Sequence, residues 1–381
     1  MKRLLGLLLV MGMVGCGIPV ARLEDKGAKI TKNEQGEVVE VDLNRQSYFC
    51  DTGLADIKGL TNLKVLNLGF TDVTGAGLVH LEGLTNLTWL KLYSTKTTDA
   101  GMVHLEALTK LQELELGNTQ ITGAGLAHLK ELTNLESLAL GSTKITDAGL
   151  VHLRGLSNLQ ELSLVNTRIT GAGFAHLKGL TNLQELNLQF TQVIDARLEH
   201  LKWLTELRML VLNNNQKITG AGLVHLEGLT NLKILNLGFT NVTDAGLVHL
   251  KGLNNLKQLN LGRTQVADAG LVHLKGLTNL LKLDLLKTQV TDAGLVHLKG
   301  LTSLETLSLN RTKVTDAGLV HLKGLTNLLR LDLLKTQVTD AGLVHLKGLT
   351  NLKSLDLRFT KVTDAGVAEL QKALPNCKIK K

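Results

Sequence analysis

Residues 280 to 303 read Leu280-Leu-Lys-Leu-Asp-Leu-Leu-Lys-Thr-Gln-Val-Thr-Asp-Ala-Gly-Leu-Val-His-Leu-Lys-Gly-Leu-Thr-Ser303. With Leu280 as position 1, the same pattern restarts at Leu63, Leu87, Leu111, Leu135, Leu159, Leu183, Leu207, Leu232, Leu256, Leu304, Leu328 and Leu352. The spacing is 24 residues throughout, save one extra residue in the repeat that begins at Leu207. Thirteen copies run in register, with Leu recurring at positions 1, 4, 6, 16, 19 and 22 and Leu, Ile or Val at position 11. A segment this short cannot bury its own apolar face, so the copies must stack and each neighbour must close the core of the next.

Within one copy the local structure follows from spacing. Lys282, Leu283, Asp284, Leu285 and Leu286 alternate, which turns Leu283 and Leu285 to one side of a short strand and their neighbours to the other. Strands from successive repeats are therefore expected to lie parallel. Position 13 is always Asp or Gly, as in Asp292 and Gly123. Either can cap a helix start, with Thr at position 12 as the competing candidate. Gly300 and its equivalents at position 21, followed by Leu301, are expected to stop that helix in a left-handed conformation after about two turns.

The pattern resembles the leucine-rich-repeat family over about residues 38 to 379. The resemblance implies an α/β fold, a right-handed solenoid with a parallel sheet on its concave face and short helices on its convex face. Position 9, where the family usually carries Asn, is Thr in twelve of the thirteen repeats, with Asn215 the exception. A threonine ladder is expected in place of the asparagine ladder. The repeats beginning at Leu183 and Leu207 are irregular: Arg197 replaces a Gly, Trp203 stands where Gly normally ends the helix, and Asn213-Asn-Asn-Gln-Lys217 holds the extra residue. A local change in curvature is expected there. By contrast, residues 280–303 and 328–351 differ only at Lys282/Arg330 and Ser303/Asn351.

The start of the chain, Met1-Lys-Arg-Leu-Leu-Gly-Leu-Leu-Leu-Val-Met-Gly-Met-Val-Gly-Cys16, has a basic start, an apolar run and small residues before a cysteine. It reads as an export signal over residues 1–15, too short to remain as a membrane span. Met13-Val14-Gly15-Cys16 resembles the bacterial lipobox, which implies lipidation of Cys16, although Met13 stands where that motif usually has Leu. Residues 16–62 then read as an N-terminal cap and irregular first repeat, with a short helix from Val20 to Gly27 and a hairpin formed by Lys29–Lys32 and Glu37–Leu43. Leu54, Ile57 and Leu60 complete that first repeat. The thirteen repeats occupy residues 63–376, and residues 377–381 close the far end.

A net charge of +8 is compatible with nucleic acid, yet an exported protein rarely meets it, and no nucleic-acid partner is expected. Lys251, Lys275, Lys299, Lys323 and Lys347 share position 20 and form a basic ridge on the helical side. Three cysteines decide little: with Cys16 lipidated, Cys50 and Cys377 stand about thirteen strands apart, some 60 Å at about 4.8 Å per strand. A disulfide needs Cα atoms within about 7 Å.

All twelve histidines, from His80 to His345, occupy position 18. At about 100° per residue this flanks the buried stripe, so each should pack against the next helix. No cysteine or carboxylate is expected beside them, and no metal or cofactor. No catalytic motif is present, neither Gly-x-Ser-x-Gly nor a phosphate loop nor His-Glu-x-x-His, and an open sheet provides no pocket where such groups converge. The chain reads as no enzyme.

The variable residues lie on the outer side of the strands. Phe70, Trp89 and Tyr93 fall on adjacent repeats and are expected to form one aromatic patch beside Glu113 and Glu115, while Arg263, Lys287, Arg311 and Lys335 make the far end basic. Together they point to non-catalytic protein binding on an exported, membrane-anchored envelope protein, periplasmic or outer-surface. Two other readings stand beside it. One is a substrate adaptor, since the array also resembles the repeats of F-box receptors. The other is a structural envelope protein that contacts anionic lipid or wall polymer through the basic ridge.

Overall fold

In each repeat the alternating leucines resolve into a three-residue strand whose central Leu is buried, as Leu283 is between Lys282 and Asp284. The computed structural model describes residues 20–381. The signal segment and Cys16 lie outside the described residues. The chain divides into two compact units, the first ending at Leu183 and the second running from Gln184 to Lys381.

In the first unit residues 20–25 are helical. The antiparallel hairpin of β1 (Lys29–Lys32) and β2 (Val38–Asp42) follows. The second hairpin strand opens a parallel stack of Val65–Asn67, Trp89–Lys91, Glu113–Glu115, Ser137–Ala139 and Glu161–Ser163, numbered β3 to β7. Phe49, Leu54 and Ile57 fill the irregular first repeat, whereas Leu60 is only half-buried. The second unit stacks Glu185–Asn187, Met209–Val211, Ile234–Asn236, Gln258–Asn260, Lys282–Asp284, Thr306–Ser308, Arg330–Asp332, Ser354–Asp356 and Lys378–Lys380 as β8 to β16. Equivalent positions pair throughout, and Leu210 still faces Leu235 despite the inserted residue, which lies in the turn. The closing helix Asp364–Ala373 buries Leu370. Cys50 and Cys377 are free thiols, and burial pushes the Cys377 thiol up.

The helical segments are mostly 3-10, either alone, as in Asp147–Leu153, or as one α-turn that tightens, as in Asp292–Leu295 followed by Val296–Leu298. The spacing explains it. Positions 16, 19 and 22 are three apart, and a 3-10 helix eclipses residues three apart, so Leu295, Leu298 and Leu301 fall on one buried line. The expectation of 100° per residue and a left-handed stop is corrected accordingly. Gly300 is not left-handed; the turn closes by successive three-residue bonds, Leu301 N–H to Leu298 O at 2.9 Å and Leu304 N–H to Leu301 O at 3.0 Å.

The left-handed residue is instead at position 8, three residues past the end of each strand. There Phe70, Asn118, Arg263, Lys287, Arg311 and Lys335 all have φ between 52 and 58°. Positions 6 to 9 form a tight turn closed by the threonine: Thr288 donates both its N–H, at 3.3 Å, and its hydroxyl, at 2.8 Å, to Leu285 O. Apart from Thr191, which also reaches Asn215, each threonine thus serves its own repeat, and no threonine ladder forms among the described residues. Asn215 does bridge, accepting from the Thr191 hydroxyl and Val193 N–H and donating to Leu188 O and Leu212 O. An asparagine ladder exists at position 24, where Asn134, Asn279 and Asn327, among others, donate to position 23 carbonyls of the preceding repeat.

Where a side chain caps the helix start it is Thr at position 12 rather than Asp at position 13, as at Thr122, Thr291, Thr315, Thr339 and Thr363, whereas Gly75 and Gly220 at position 13 are themselves the N-cap residues of their helices. The Thr291 and Thr315 hydroxyls accept from Ala293 and Ala317 N–H. Aspartate at position 13 reaches into the next repeat instead. Asp292 accepts the Thr315 N–H at 2.8 Å and the Thr315 hydroxyl at 2.6 Å, and Asp51, Asp99, Asp147, Asp195, Asp268, Asp316 and Asp340 repeat this clasp. Glycine at position 15 makes room for it, since a Cβ on Gly318 would meet the Asp292 carboxylate. Where position 13 is Gly there is no clasp, and two glycines touch, Gly75 with Gly101 and Gly123 with Gly149.

Candidate binding face

Pleating sends positions 3 and 5 away from the leucines, and the left-handed turn carries positions 7 and 8 along the same edge. In the first unit Phe70 at position 8 meets Tyr93 at position 7 of the next repeat, ring centroids 5.2 Å apart and planes inclined 59°. Phe70 N–H donates to Tyr93 O at 2.9 Å, which locks their backbones together. The Arg45 guanidinium stands over Phe70 at 5.7 Å. Tyr93 leans across Gly117, where a Cβ would meet its ring at 2.8 Å. Both rings remain open to solvent, Phe70 at 45% and Tyr93 at 39% exposure.

Trp89 belongs to a different cluster. It starts β4, with the Lys91 ammonium 4.3 Å from its ring centre, and Lys91 in turn pairs with Glu115 at 2.8 Å. Its indole N–H is buried without a partner. The single aromatic patch expected from sequence is therefore two adjoining clusters. Glu115 is neutralised by a lysine, while Glu113 stands exposed on the neighbouring strand. Sequence reasoning missed Arg45 and Lys91; the cation two residues beyond Trp89, on the same strand face, was the available signal for Lys91.

In the second unit Arg263, Lys287, Arg311 and Lys335 occupy position 8 of four consecutive repeats, all exposed. Arg263 covers Phe239 with its guanidinium 4.7 Å from the ring centre. These two residues, with Gln216, Asn241 and Lys287, line a cleft of about 430 Å³. The structure thus brings the four cations into one row, with Asp284 and Asp332 three residues before Lys287 and Lys335 on the same repeats.

On the helical side the histidines pack as expected, half-buried at the repeat interfaces. The expectation of no carboxylate beside them is corrected. Position 20 of one repeat faces position 18 of the next, and His104, His128 and His249 bond Glu82, Glu106 and Glu227 through Nδ1 at 2.6, 2.7 and 2.6 Å. Where position 20 is Lys, the Nδ1 atoms of His297, His321 and His345 are buried without a partner. Burial first, and then Lys275 and Lys299, hold the His297 and His321 imidazoles below their ordinary value. Among the described residues no three His, Cys, Asp or Glu side chains converge as metal ligands, and no helix is long and apolar enough to cross a membrane.

Parallel three-residue strands, buried leucine lines and inter-repeat clasps define an α/β repeat scaffold with an open, variable face. The chain is a leucine-rich-repeat protein: leucine-rich-repeat family patterns match residues 109–169 and 157–202, and a third matches residues 59–81, 228–250, 300–322 and 348–370. Among solved structures it is similar to an internalin from Listeria monocytogenes, 24% identical over 92% of this chain and 91% of that one, with a TM-score of 0.62. A leucine-rich-repeat protein of Leptospira interrogans is 24% identical over 89% of this chain and 95% of its own, also with a TM-score of 0.62. The functional domain of a second Listeria monocytogenes internalin is 19% identical over 89% of this chain and 71% of that chain, at 0.59. At these identities the likeness is one of fold. No curated protein sequence matches at a significant level.

Proposed function

We propose that the chain is a non-catalytic protein-binding scaffold, exported and held in the cell envelope by a lipid on Cys16. The observation that carries the binding reading is the Phe70–Tyr93 pair. Neither ring fills the core, both are exposed, and large rings held rigid by a backbone bond lose little freedom when a partner covers them. Protein binding is also the common use of this repeat scaffold. The exposed Glu113 beside the clusters favours a partner with a basic, partly apolar surface. The envelope address rests on the sequence of residues 1–16.

The test begins with crosslinking in the native envelope to capture a partner, with the mass of the N-terminal peptide measured on the same material. Tyr93→Ala together with Trp89→Ala should leave folding intact and weaken partner binding by at least about 2 kcal/mol. An unmodified, soluble mature N-terminus would remove the lipid anchor from this reading. A partner that bound the double variant unchanged would remove the aromatic site.

A further inference from the structure

We infer that the row Arg263, Lys287, Arg311 and Lys335 is a docking edge for an extended acidic polypeptide that also carries apolar side chains. Backbone bonds tie the four turns together, Arg263 N–H to Leu286 O at 2.6 Å and Lys287 N–H to Asn310 O at 2.7 Å, so the ladder continues past the strands into the turn. The cations therefore stand at about the strand spacing of 4.8 Å. None has a carboxylate partner among the described residues. The acids on the same repeats bond other groups: Asp284 accepts the Leu286 N–H, Asp332 accepts the Leu334 N–H and the Asn310 amide, both keeping their charge, and Asp356 holds Arg358.

The fold itself does not ask for this row. The position is left-handed, where asparagine is favoured over long side chains. The first unit uses that solution, with Asn118 and Asn166 bonded to Ser94 and Ser142 of the preceding repeats at 2.8 and 3.1 Å. In the second unit the same position repeats unpaired, mutually repelling cations. Their arrangement is complementary to a line of negative charge, and its apolar borders select the kind of line. Phe239 and Phe359 bracket the row, exposed at 42 and 80%, and half-buried Leu286 and Leu334 lie beside it. A phosphate or sulfate polymer has nothing to place against these four side chains, whereas an acidic peptide with aromatic or aliphatic residues does.

This rests on the reading of the chain as a protein-binding scaffold but uses a surface separate from Phe70 and Tyr93, so Tyr93→Ala serves as a control that should change nothing here. The probe is a fluorescently labelled twelve-residue peptide alternating Glu with Phe and Leu, titrated by anisotropy with the full chain at several salt concentrations. Replacing Arg263, Lys287, Arg311 and Lys335 by Asn keeps the left-handed turns, as Asn118 shows, and an unchanged melting profile would certify the fold. That variant should lose about 100-fold in affinity and most of the salt dependence, and Phe359→Ala alone about tenfold. Changing Lys251, Lys275, Lys299 and Lys323 to Gln on the helical side should have no effect. The inference is overturned if the Asn variant binds like the parent, or if no peptide binds at low salt. Tighter binding of inorganic polyphosphate than of the peptide, indifferent to Phe359→Ala, would also overturn it and assign the row to phosphate polymers.

Discussion

The threonines at position 9 and Asn215 solve the same problem at different reach. Thr288 supplies one hydroxyl bond to a carbonyl that its own N–H already contacts, so Thr288→Val should cost about 1 kcal/mol. Asn215→Ala removes four bonds and leaves Val193 N–H, Leu188 O and Leu212 O with fewer partners in a buried site. The expected loss is about 3 to 5 kcal/mol, read from urea unfolding; a loss no larger than that of Thr288→Val would contradict the bridging role. The histidines carry the pH dependence at this scale. The unfolded chain protonates His297 and His321 near 6.5, while the folded chain does so only at lower pH because burial and Lys275 or Lys299 oppose it, against the pull of Asp268 and Asp292. The unfolded state therefore binds more protons in that window. Stability is full above about pH 6.5 and falls as the pH drops through the folded values. His297→Gln with His321→Gln should flatten the melting temperature across this range, and an unaltered slope would show that other groups carry it.

At the scale of the element, the clasp between Asp292 and Thr315 and the bare Cα of Gly318 are one device. Gly318→Ala alone should be strongly destabilising, because the new methyl meets the Asp292 carboxylate. Asp292→Ala alone should cost about 2 kcal/mol for two charge-assisted bonds. Together they should be less damaging than the sum, with a coupling of about 1 kcal/mol or more in a double-mutant cycle; strict additivity would mean the two residues do not share a site. This device also marks the limit of what the sequence discloses. Leu283 and Leu285 were legible as inward because alternation needs only neighbours along the chain. The Asp292–Thr315 clasp was not, since it joins residues 23 apart whose local roles, cap and first turn, already accounted for both. The left-handed turn was assigned to Gly300 because glycine advertises that conformation, whereas Lys287 adopts it under the compulsion of the turn. Among site residues, Phe70 and Tyr93 were legible as neighbours. The separation of Trp89 depended on where the side chain of Lys91 lies.

Within each unit, nearest-neighbour interfaces set the stability, since a stacked repeat is closed by the one before and the one after. These interfaces are not all alike. In the first unit clasped and unclasped contacts alternate, Asp51 to Thr74, then Gly75 against Gly101, Asp99 to Thr122, then Gly123 against Gly149, Asp147 to Thr170. In the second unit the Gly220–Gly246 contact is bare, and every interface from Asp244 to Asp340 is joined through an aspartate. The alternation amounts to a mechanical grading. Pulled from its two ends in an optical trap, the chain should surrender the first unit in increments of two repeats, roughly 160 Å of extended chain each. The stretch from Leu232 onward should hold until a higher force and then give way in one event. Equal single-repeat steps along the entire trace would show that the carboxylates bear no load. Were the chain held at its start by the lipid proposed on Cys16, such a grading would let the first unit lengthen first under drag, while the proposed docking edge stayed folded and able to keep its grip.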